Sequence, residues 1–180
     1  MAKILVPLAD GCEEIEAISV IDVLRRAEFK VVTAGLHDGP VAAAHGVKLM
    51  ADTLFSSINP MDFDAIVIPG GGGGVENLMK DEGVLSAIRE MDKAGRWVAA
   101  VCAGPLVLQA AGILEGRRVT CYPACAEDLT ATPRVNERVV VDGKLITSQG
   151  PGTSMAFAIE LVRQFGSASL AQRVASALLA

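Results

Sequence analysis

The sequence is poor in several features that mark common classes of protein. Among 180 residues there are five phenylalanines, one tryptophan, one tyrosine and two histidines. The 16 basic residues are outnumbered by 21 acidic ones, which gives a formal net charge of −5, and they form no basic stripe. Because binding to nucleic acid depends on clustered positive charge, we expect no nucleic-acid partner.

Long hydrophobic runs are also missing. A membrane-spanning helix needs roughly 20 consecutive apolar residues, and no segment of the chain provides them. The first apolar run starts at Ile4 and soon reaches Asp10, so it is too short for a signal peptide. We therefore expect a cytoplasmic protein with no membrane partner. In a reducing compartment its cysteines would be free thiols: Cys12, Cys102, Cys121 and Cys125.

Apolar residues and glycine, by contrast, are abundant. Hydrophobic residues make up 51% of the chain, and 18 residues are glycine. Apolar runs alternate with helical patterns, which is typical of a parallel sheet buried on both faces. The predicted strands lie at 4–8, 30–34, 65–69, 97–101 and 118–121, with hairpins at 41–50 and 139–147. No linker or low-complexity tract interrupts the pattern, so we expect one domain over residues 1–180.

Four predicted strands end in a turn of small residues that leads into a helix. These turns lie at Gly11, Gly70, Cys102 and Gly150. Ligands of parallel α/β sheets bind outside the carboxyl ends of the strands. We therefore expect all four turns to share one edge of the sheet and to surround the functional site.

Cys102 stands where an apolar strand turns directly into a predicted helix. A nucleophile-type residue in such a turn is the nucleophile-elbow arrangement of α/β enzymes. The N-terminus of the following helix would favour the thiolate and would offer N–H groups to an oxyanion. The alternative interpretation is a buried cysteine that only packs, since free cysteine behaves as a small hydrophobe.

The first predicted helix opens with three acidic residues: Glu13, Glu14 and Glu16. Helical spacing turns Ile15 and Ile18 toward the core and leaves Glu16 beside that face. We expect Glu16 to be half-buried, to have a raised pKa and to share a proton with Cys102. We expect the other two acids to be solvated.

The run of five glycines at 70–74 invites a nucleotide-binding interpretation, but it completes neither of the two common templates. It lacks the spacing of Gly-x-Gly-x-x-Gly and the Gly-Lys-Ser/Thr of the Walker motif. The run instead supplies free backbone N–H groups for an oxyanion. Cys121 and Cys125 lack a second pair of zinc ligands at finger spacing. We therefore expect no metal and no organic cofactor.

These pieces together resemble the ThiJ/PfpI superfamily and, within it, the deglycase/YajL branch. The matching segments are LADGCEEIE at 8–16, IPGG at 68–71, AVCAGP at 100–105 and TSQGPGT at 147–153. They occur in the family's order and span nearly the whole chain. The resemblance implies a flavodoxin-like three-layer α/β/α sandwich with a mostly parallel sheet and a nucleophile-elbow cysteine, and commonly a homodimer.

The resemblance also implies roles for individual residues. Cys102 would be the nucleophile and the oxidation-sensitive residue, and Glu16 would hydrogen-bond to it. Gly71 and Ala103 would supply the backbone donors of an oxyanion pocket next to Gly70.

Two positions depart from patterns in the superfamily. The peptidase-like branch has a histidine directly after the cysteine, and Ala103 stands there, so we expect no peptidase activity. The deglycase has a histidine before a proline where this chain has Tyr122, which lines the pocket in our interpretation. With an ordinary pKa near ~10, a tyrosine is a poor general base at neutral pH. Glu16, water or His45 from a second subunit would then carry the proton.

The sequence thus predicts a cofactor-independent cysteine enzyme of the glyoxalase or deglycase type, with a role in carbonyl and oxidative stress. Its substrates would be small aldehydes, or their adducts, with methylglyoxal converted to lactate. The alternative is a non-catalytic redox sensor or stress chaperone in which Cys102 is oxidised. The contact surfaces of the expected homodimer would be the first helix and the hairpin at 41–50.

Overall fold

The structure, a computed structural model, describes all 180 residues and contains nine strands and six α-helices. The strands are β1 (Lys3–Leu8), β2 (Lys30–Gly35), β3 (Pro40–Ala42), β4 (Lys48–Met50), β5 (Thr53–Leu54), β6 (Ala65–Ile68), β7 (Trp97–Val101), β8 (Val139–Asp142) and β9 (Leu145–Ser148). The helices are α1 (Glu14–Arg26), α2 (Gly72–Lys80), α3 (Glu82–Lys93), α4 (Pro105–Ala110), α5 (Ser154–Phe165) and α6 (Ala168–Leu178). No helix is both long enough and apolar enough to cross a membrane.

Seven strands form one sheet in the order β5-β2-β1-β6-β7-β9-β8. All neighbours pair in parallel except β8, which returns antiparallel to β9. One buried cluster packs α2, α3 and α4 on one face of the sheet, and a second packs α1, α5 and α6 on the other. Continuous apolar strands suit this position because both of their faces are covered. The predicted flavodoxin-like sandwich with a mostly parallel sheet is confirmed.

The carboxyl ends of the central strands meet at one edge of the sheet. The chain leaves β1 toward β2 and later returns on the other side of β1 as β6, so the strand order reverses between β1 and β6. Parallel sheets bind ligands beside such a reversal. Cys102 follows β7, the neighbour of β6, and therefore lies at this edge.

The inward face of α1 differs from the prediction. Ile15 and Ile18 are 53% and 45% exposed, whereas Glu16, Ala17 and Val20 are buried. The buried positions of α1 continue at 23 and 24, which is the spacing of one face of a helix. The predicted phase was wrong because the two isoleucines form a separate apolar stripe on the outer side of the helix.

The strand predicted at 118–121 is also wrong. Only Val119 makes an isolated bridge, to Arg134, and no ladder forms. The reason is that β9 already pairs with β7 on one side and β8 on the other. The segment is held instead by a side chain, because the Thr120 N–H donates to Thr147 Oγ1 at 2.9 Å. Both predicted hairpins are present as β3–β4 and β8–β9.

Candidate active site

Cys102 occupies the turn between β7 and α4 in a conformation that few residues adopt. Its φ is +62°, in the left-handed region, which costs a non-glycine residue about 1–3 kcal/mol. Two backbone hydrogen bonds hold it there: its N–H donates to the Ser148 carbonyl at 3.0 Å, and its carbonyl accepts from the Tyr122 N–H at 2.9 Å. The half-buried side chain thereby projects at the carboxyl edge of the sheet.

Glu16 lies in the first turn of α1 and is fully buried. Its Oε2 accepts a hydrogen bond from the Gly70 N–H at 2.8 Å. Its Oε1 is buried without any hydrogen-bond partner. A buried polar atom without a partner is uncommon and needs an explanation, such as a group that arrives with a ligand.

Two glycines make the close approach of Glu16 and Cys102 possible. A Cβ at Gly70 would lie 2.5 Å from both Cys102 Cβ and Glu16 Oε2. Gly71 has a φ of +88°, and a Cβ there would overlap the Gly11 carbonyl. A side chain at Gly70 would push Glu16 and Cys102 apart, and one at Gly71 would displace the turn before α1.

The thiol and the carboxyl perturb each other strongly. Burial raises the pKa of Glu16 to about 7, although its contacts with Cys102 and the Gly70 N–H act in the opposite direction. Burial, followed by the charge of Glu16, raises the pKa of Cys102 to about 12, although the backbone N–H groups of Gly71 and Ala103 face the sulfur and lower it. The pair therefore loses its first proton around neutral pH, and in the singly ionised form a proton transfer can place the negative charge on either group.

The raised pKa of Cys102 corrects the prediction that the following helix would favour the thiolate. α4 begins only at Pro105 and has six residues. Burial beside a carboxylate outweighs such a short helix. A thiolate at this site depends on proton transfer to Glu16.

Tyr122 and Gly150 lie near the sulfur of Cys102. A Cβ at Gly150 would lie 3.2 Å from the Tyr122 ring and 3.9 Å from Cys102 Sγ. Tyr122 itself is 45% exposed, so its ring lies at the surface near the sulfur. This position agrees with the prediction that the turn at Gly150 shares a sheet edge with Cys102.

The prediction that Glu13 and Glu14 are solvated is wrong. Both are buried, and their carboxylates lie 3.4 and 3.1 Å from His45 Nδ1. The backbone N–H of His45 also donates to Glu14 Oε1 at 2.9 Å. His45 lies in the loop between β3 and β4, so this loop covers the start of α1. The ligand atoms of these three residues lie within 4.8 Å of one another, which makes them the one metal-capable group of His, Cys, Asp and Glu side chains.

No side-chain hydrogen bond or ion pair joins the remaining cysteines or His37 to the Glu16–Cys102 pair. Cys12 and Cys121 are buried, and burial raises the pKa of each to about 11. Cys125 is half-buried. His37 pairs with Asp10 at 3.2 Å and is not part of the site.

A doubly covered parallel sheet with a strained cysteine and a buried glutamate at one edge defines an α/β protein with a cysteine-centred site. Residues 2–164 match the model of the DJ-1/PfpI family, and the chain belongs to that family. It is 43% identical over 165 residues to protein DJ-1 homolog B of Arabidopsis thaliana, with 91% of this chain and 38% of that protein aligned. The chain thus spans less than half the length of that relative.

Two further relatives match over nearly their whole length. A deglycase of Pyrococcus abyssi is 34% identical over 163 residues, which cover 89% of this chain and 98% of the relative. The solved structure of an oxidized Toxoplasma gondii DJ-1 superposes with a TM-score of 0.95 at 37% identity, covering 99% of this chain and 98% of the other. The roles of the individual site residues stay predictions.

Proposed function

We propose that this chain is a cofactor-independent enzyme that acts on small reactive carbonyls through Cys102, in the manner of a glyoxalase or deglycase. The observation that carries the proposal is the buried Glu16 beside Cys102, with Oε1 free of any hydrogen-bond partner. The family membership and the deglycase name of the Pyrococcus abyssi relative support an enzymatic role.

The first step requires a thiolate. With Glu16 ionised and Cys102 protonated, transfer of the thiol proton to Glu16 creates the nucleophile without changing the net charge of the site. The N–H groups of Gly71 and Ala103 stabilise the sulfur in its charged form. The thiolate adds to the aldehyde carbon of methylglyoxal, a C–S bond forms, and the carbonyl oxygen takes the proton held by Glu16 to give a hemithioacetal, which leaves Glu16 ionised again.

The second step is an internal redox exchange. Glu16 removes the hydrogen from the former aldehyde carbon as a proton, and an enediol forms. A proton then returns to the neighbouring carbon, so that the first carbon is oxidised to a thioester and the second is reduced to an alcohol. Water hydrolyses the thioester to lactate and restores the thiol. Thiol, carboxyl and water suffice for this sequence, and Glu16 is the buried acid–base group beside the sulfur.

The test is lactate formation from methylglyoxal in the absence of glutathione. We expect turnover by the wild type, and none by Cys102→Ser, because a serine hydroxyl is not ionised by a carboxyl with a pKa of about 7. Glu16→Gln should keep only a low residual activity at neutral pH, because an amide cannot accept the thiol proton.

A matched control separates chemistry from folding. Cys125→Ser changes another half-buried cysteine and should keep wild-type turnover. All variants should show the wild-type near-UV circular dichroism spectrum. Turnover by Cys102→Ser would contradict the mechanism, and no turnover by the wild type would contradict the enzymatic function.

A second candidate function, that of a redox sensor, uses the same cysteine. It is favoured by accessibility, because Cys102 is half-buried whereas Cys12 and Cys121 are 1% and 0% exposed. The Toxoplasma gondii relative was solved in an oxidized state. Mild peroxide should therefore add oxygen to Cys102 before the two buried cysteines, as measured by peptide mass spectrometry. Equal oxidation of these cysteines would contradict this candidate.

We also propose that the protein forms a homodimer and is located in the cytoplasm. α1 and the β3–β4 hairpin expose a group of large apolar side chains, and such a patch is typical of protein interfaces: Ile15, Ile18, Val47 and Met50. We expect a dimer by light scattering and a shift toward monomer in Ile18→Glu. A monomeric wild type would contradict the proposal.

A further inference from the structure

A groove of about 430 Å³ runs between α2 and α4, away from the sulfur. Cavities that bind small molecules commonly measure roughly 300–1,000 Å³, so the groove is large enough for a ligand. Its apolar floor is formed by Val75 and Met79 of α2 and by Leu106 and Ala110 of α4. The segment that includes Cys125 closes its far side.

The groove begins at the proposed oxyanion pocket. Gly72 and Ala103 line its near end. These residues directly follow Gly71 and Cys102, so the groove is continuous with the place where a carbonyl oxygen would lie. A substrate attached to Cys102 at one end could extend into the groove at the other.

Both charged residues that line the groove are acidic: Glu76 and Asp128. Both are exposed, and neither forms an ion pair within the chain. The wall that carries Asp128 is fixed, because Gln109 Nε2 donates to the Asp128 carbonyl and Gln109 Oε1 accepts from the Ala131 N–H, each at 2.9 Å. The groove thus combines an apolar floor with two unneutralised negative charges.

We propose that this α2–α4 groove binds the carrier peptide of a carbonyl adduct and selects carriers that have lysine or arginine beside the modified residue. The inference rests on the proposed function, since it assumes that adducts react at Cys102. The Cys102 thiolate displaces the carrier from the hemithioacetal carbon: the C–S bond to Cys102 forms, the bond to the carrier sulfur breaks, and the carrier leaves as a thiol with the proton held by Glu16. The product is the same Cys102 hemithioacetal that the free aldehyde gives. Lysine and arginine have aliphatic stems that pack on apolar surface and a cation at the tip. The stem fits the floor of the groove, and the cation lies near Glu76 and Asp128.

The same charges disfavour the other carriers that a carbonyl-removing enzyme could meet. A nucleotide adduct would bring phosphate groups toward two carboxylates, and such like-charge contacts are unfavourable. A peptide with an acidic neighbour would meet the same repulsion. Free methylglyoxal is too small to reach the groove and should be indifferent to it.

The test compares two hemithioacetals made from methylglyoxal and the peptides acetyl-Cys-Lys-amide and acetyl-Cys-Glu-amide, with the free aldehyde concentration held equal. For the wild type we expect kcat/KM to be roughly three- to tenfold higher for the basic peptide, as two exposed charge interactions would give. The ratio should fall to about one in the double variant Glu76→Gln/Asp128→Asn. Glu127→Gln removes an exposed charge next to Asp128, outside the groove, and should keep the wild-type ratio.

A ratio near one in the wild type, or a ratio unchanged in the double variant, would overturn the inference. Failure of the proposed function looks different, because the wild type would then not turn over free methylglyoxal either. In that event the groove is tested by fluorescence anisotropy with labelled, unmodified peptides. The basic peptide should bind the wild type at least about threefold more tightly than it binds the double variant. Equal affinities would overturn the inference.

Discussion

The buried charge of Glu16 should make the protein less stable as the pH rises, and Glu16→Gln should remove this dependence. Burial raises the pKa of Glu16 from its ordinary 4.5 to about 7 in the folded state. Between these values the folded state holds the proton more tightly than the unfolded state, so ionisation works against folding. The full difference corresponds to roughly 3 kcal/mol, because each unit of pKa difference is worth about 1.4 kcal/mol. This stability is present below pH 4.5 and lost as the pH rises to about 7.

Chemical denaturation at two pH values measures the effect. From pH 5 to pH 8, Glu16 alone should lower the free energy of unfolding of the wild type by roughly 2–3 kcal/mol. Glu16→Gln should lack this contribution, whatever the constant effect of a buried amide on stability. The test therefore compares how much the free energy of unfolding falls from pH 5 to pH 8 in the wild type and in Glu16→Gln, and not the stabilities of the two proteins at one pH.

Glu115→Gln is the matched control, because it removes an exposed carboxylate that forms no ion pair. It should follow the wild-type pH dependence. The reasoning would be refuted if Glu16→Gln and the wild type lost stability in parallel from pH 5 to pH 8. That result would mean that Glu16 is solvated or that another group neutralises it.

Two further predictions concern packing. Gly70→Ala should lower the free energy of unfolding by about 1–3 kcal/mol and abolish turnover, because its Cβ would overlap Glu16 and Cys102. Gly72→Ala should be neutral or stabilising, because nothing lies within 4 Å of its Cβ. Equal denaturation midpoints for the two variants would contradict this prediction. Phe157→Ala should lower the free energy of unfolding by about 3–5 kcal/mol, because the fully buried ring of Phe157 packs between α5 and the sheet. A loss below about 1 kcal/mol in urea denaturation would contradict this prediction.

The sheet could be predicted from the sequence because its strands are short apolar runs that a parallel sheet buries on both faces. The common edge of the turns followed from the alternation of strands and helices. The segment at 118–121 has the composition of a strand, but pairing depends on a free neighbour, and β9 has none. Whether a strand finds a free neighbour depends on the strand order of the whole sheet, which a local segment does not contain.

The site could be predicted in part. The turn after β7 and the acids that follow β1 identified Cys102 and Glu16 as candidates. The burial of Glu13 and Glu14 could not be predicted, because it depends on His45 and a hairpin more than 30 residues further along the chain. The raised pKa of Cys102 likewise depends on the depth of the site and on the charge of Glu16, which a local sequence pattern does not contain.

The most direct test of the shared proton is the pH dependence of kcat/KM for lactate formation from methylglyoxal. Because the reactive form needs one proton removed from the Glu16–Cys102 pair, kcat/KM of the wild type should rise with pH through about 7, the pKa of Glu16. In Glu16→Gln the low activity that remains should rise only at the higher pH at which the thiol itself ionises. A flat profile in the wild type, or the same rise near pH 7 in Glu16→Gln, would contradict the account.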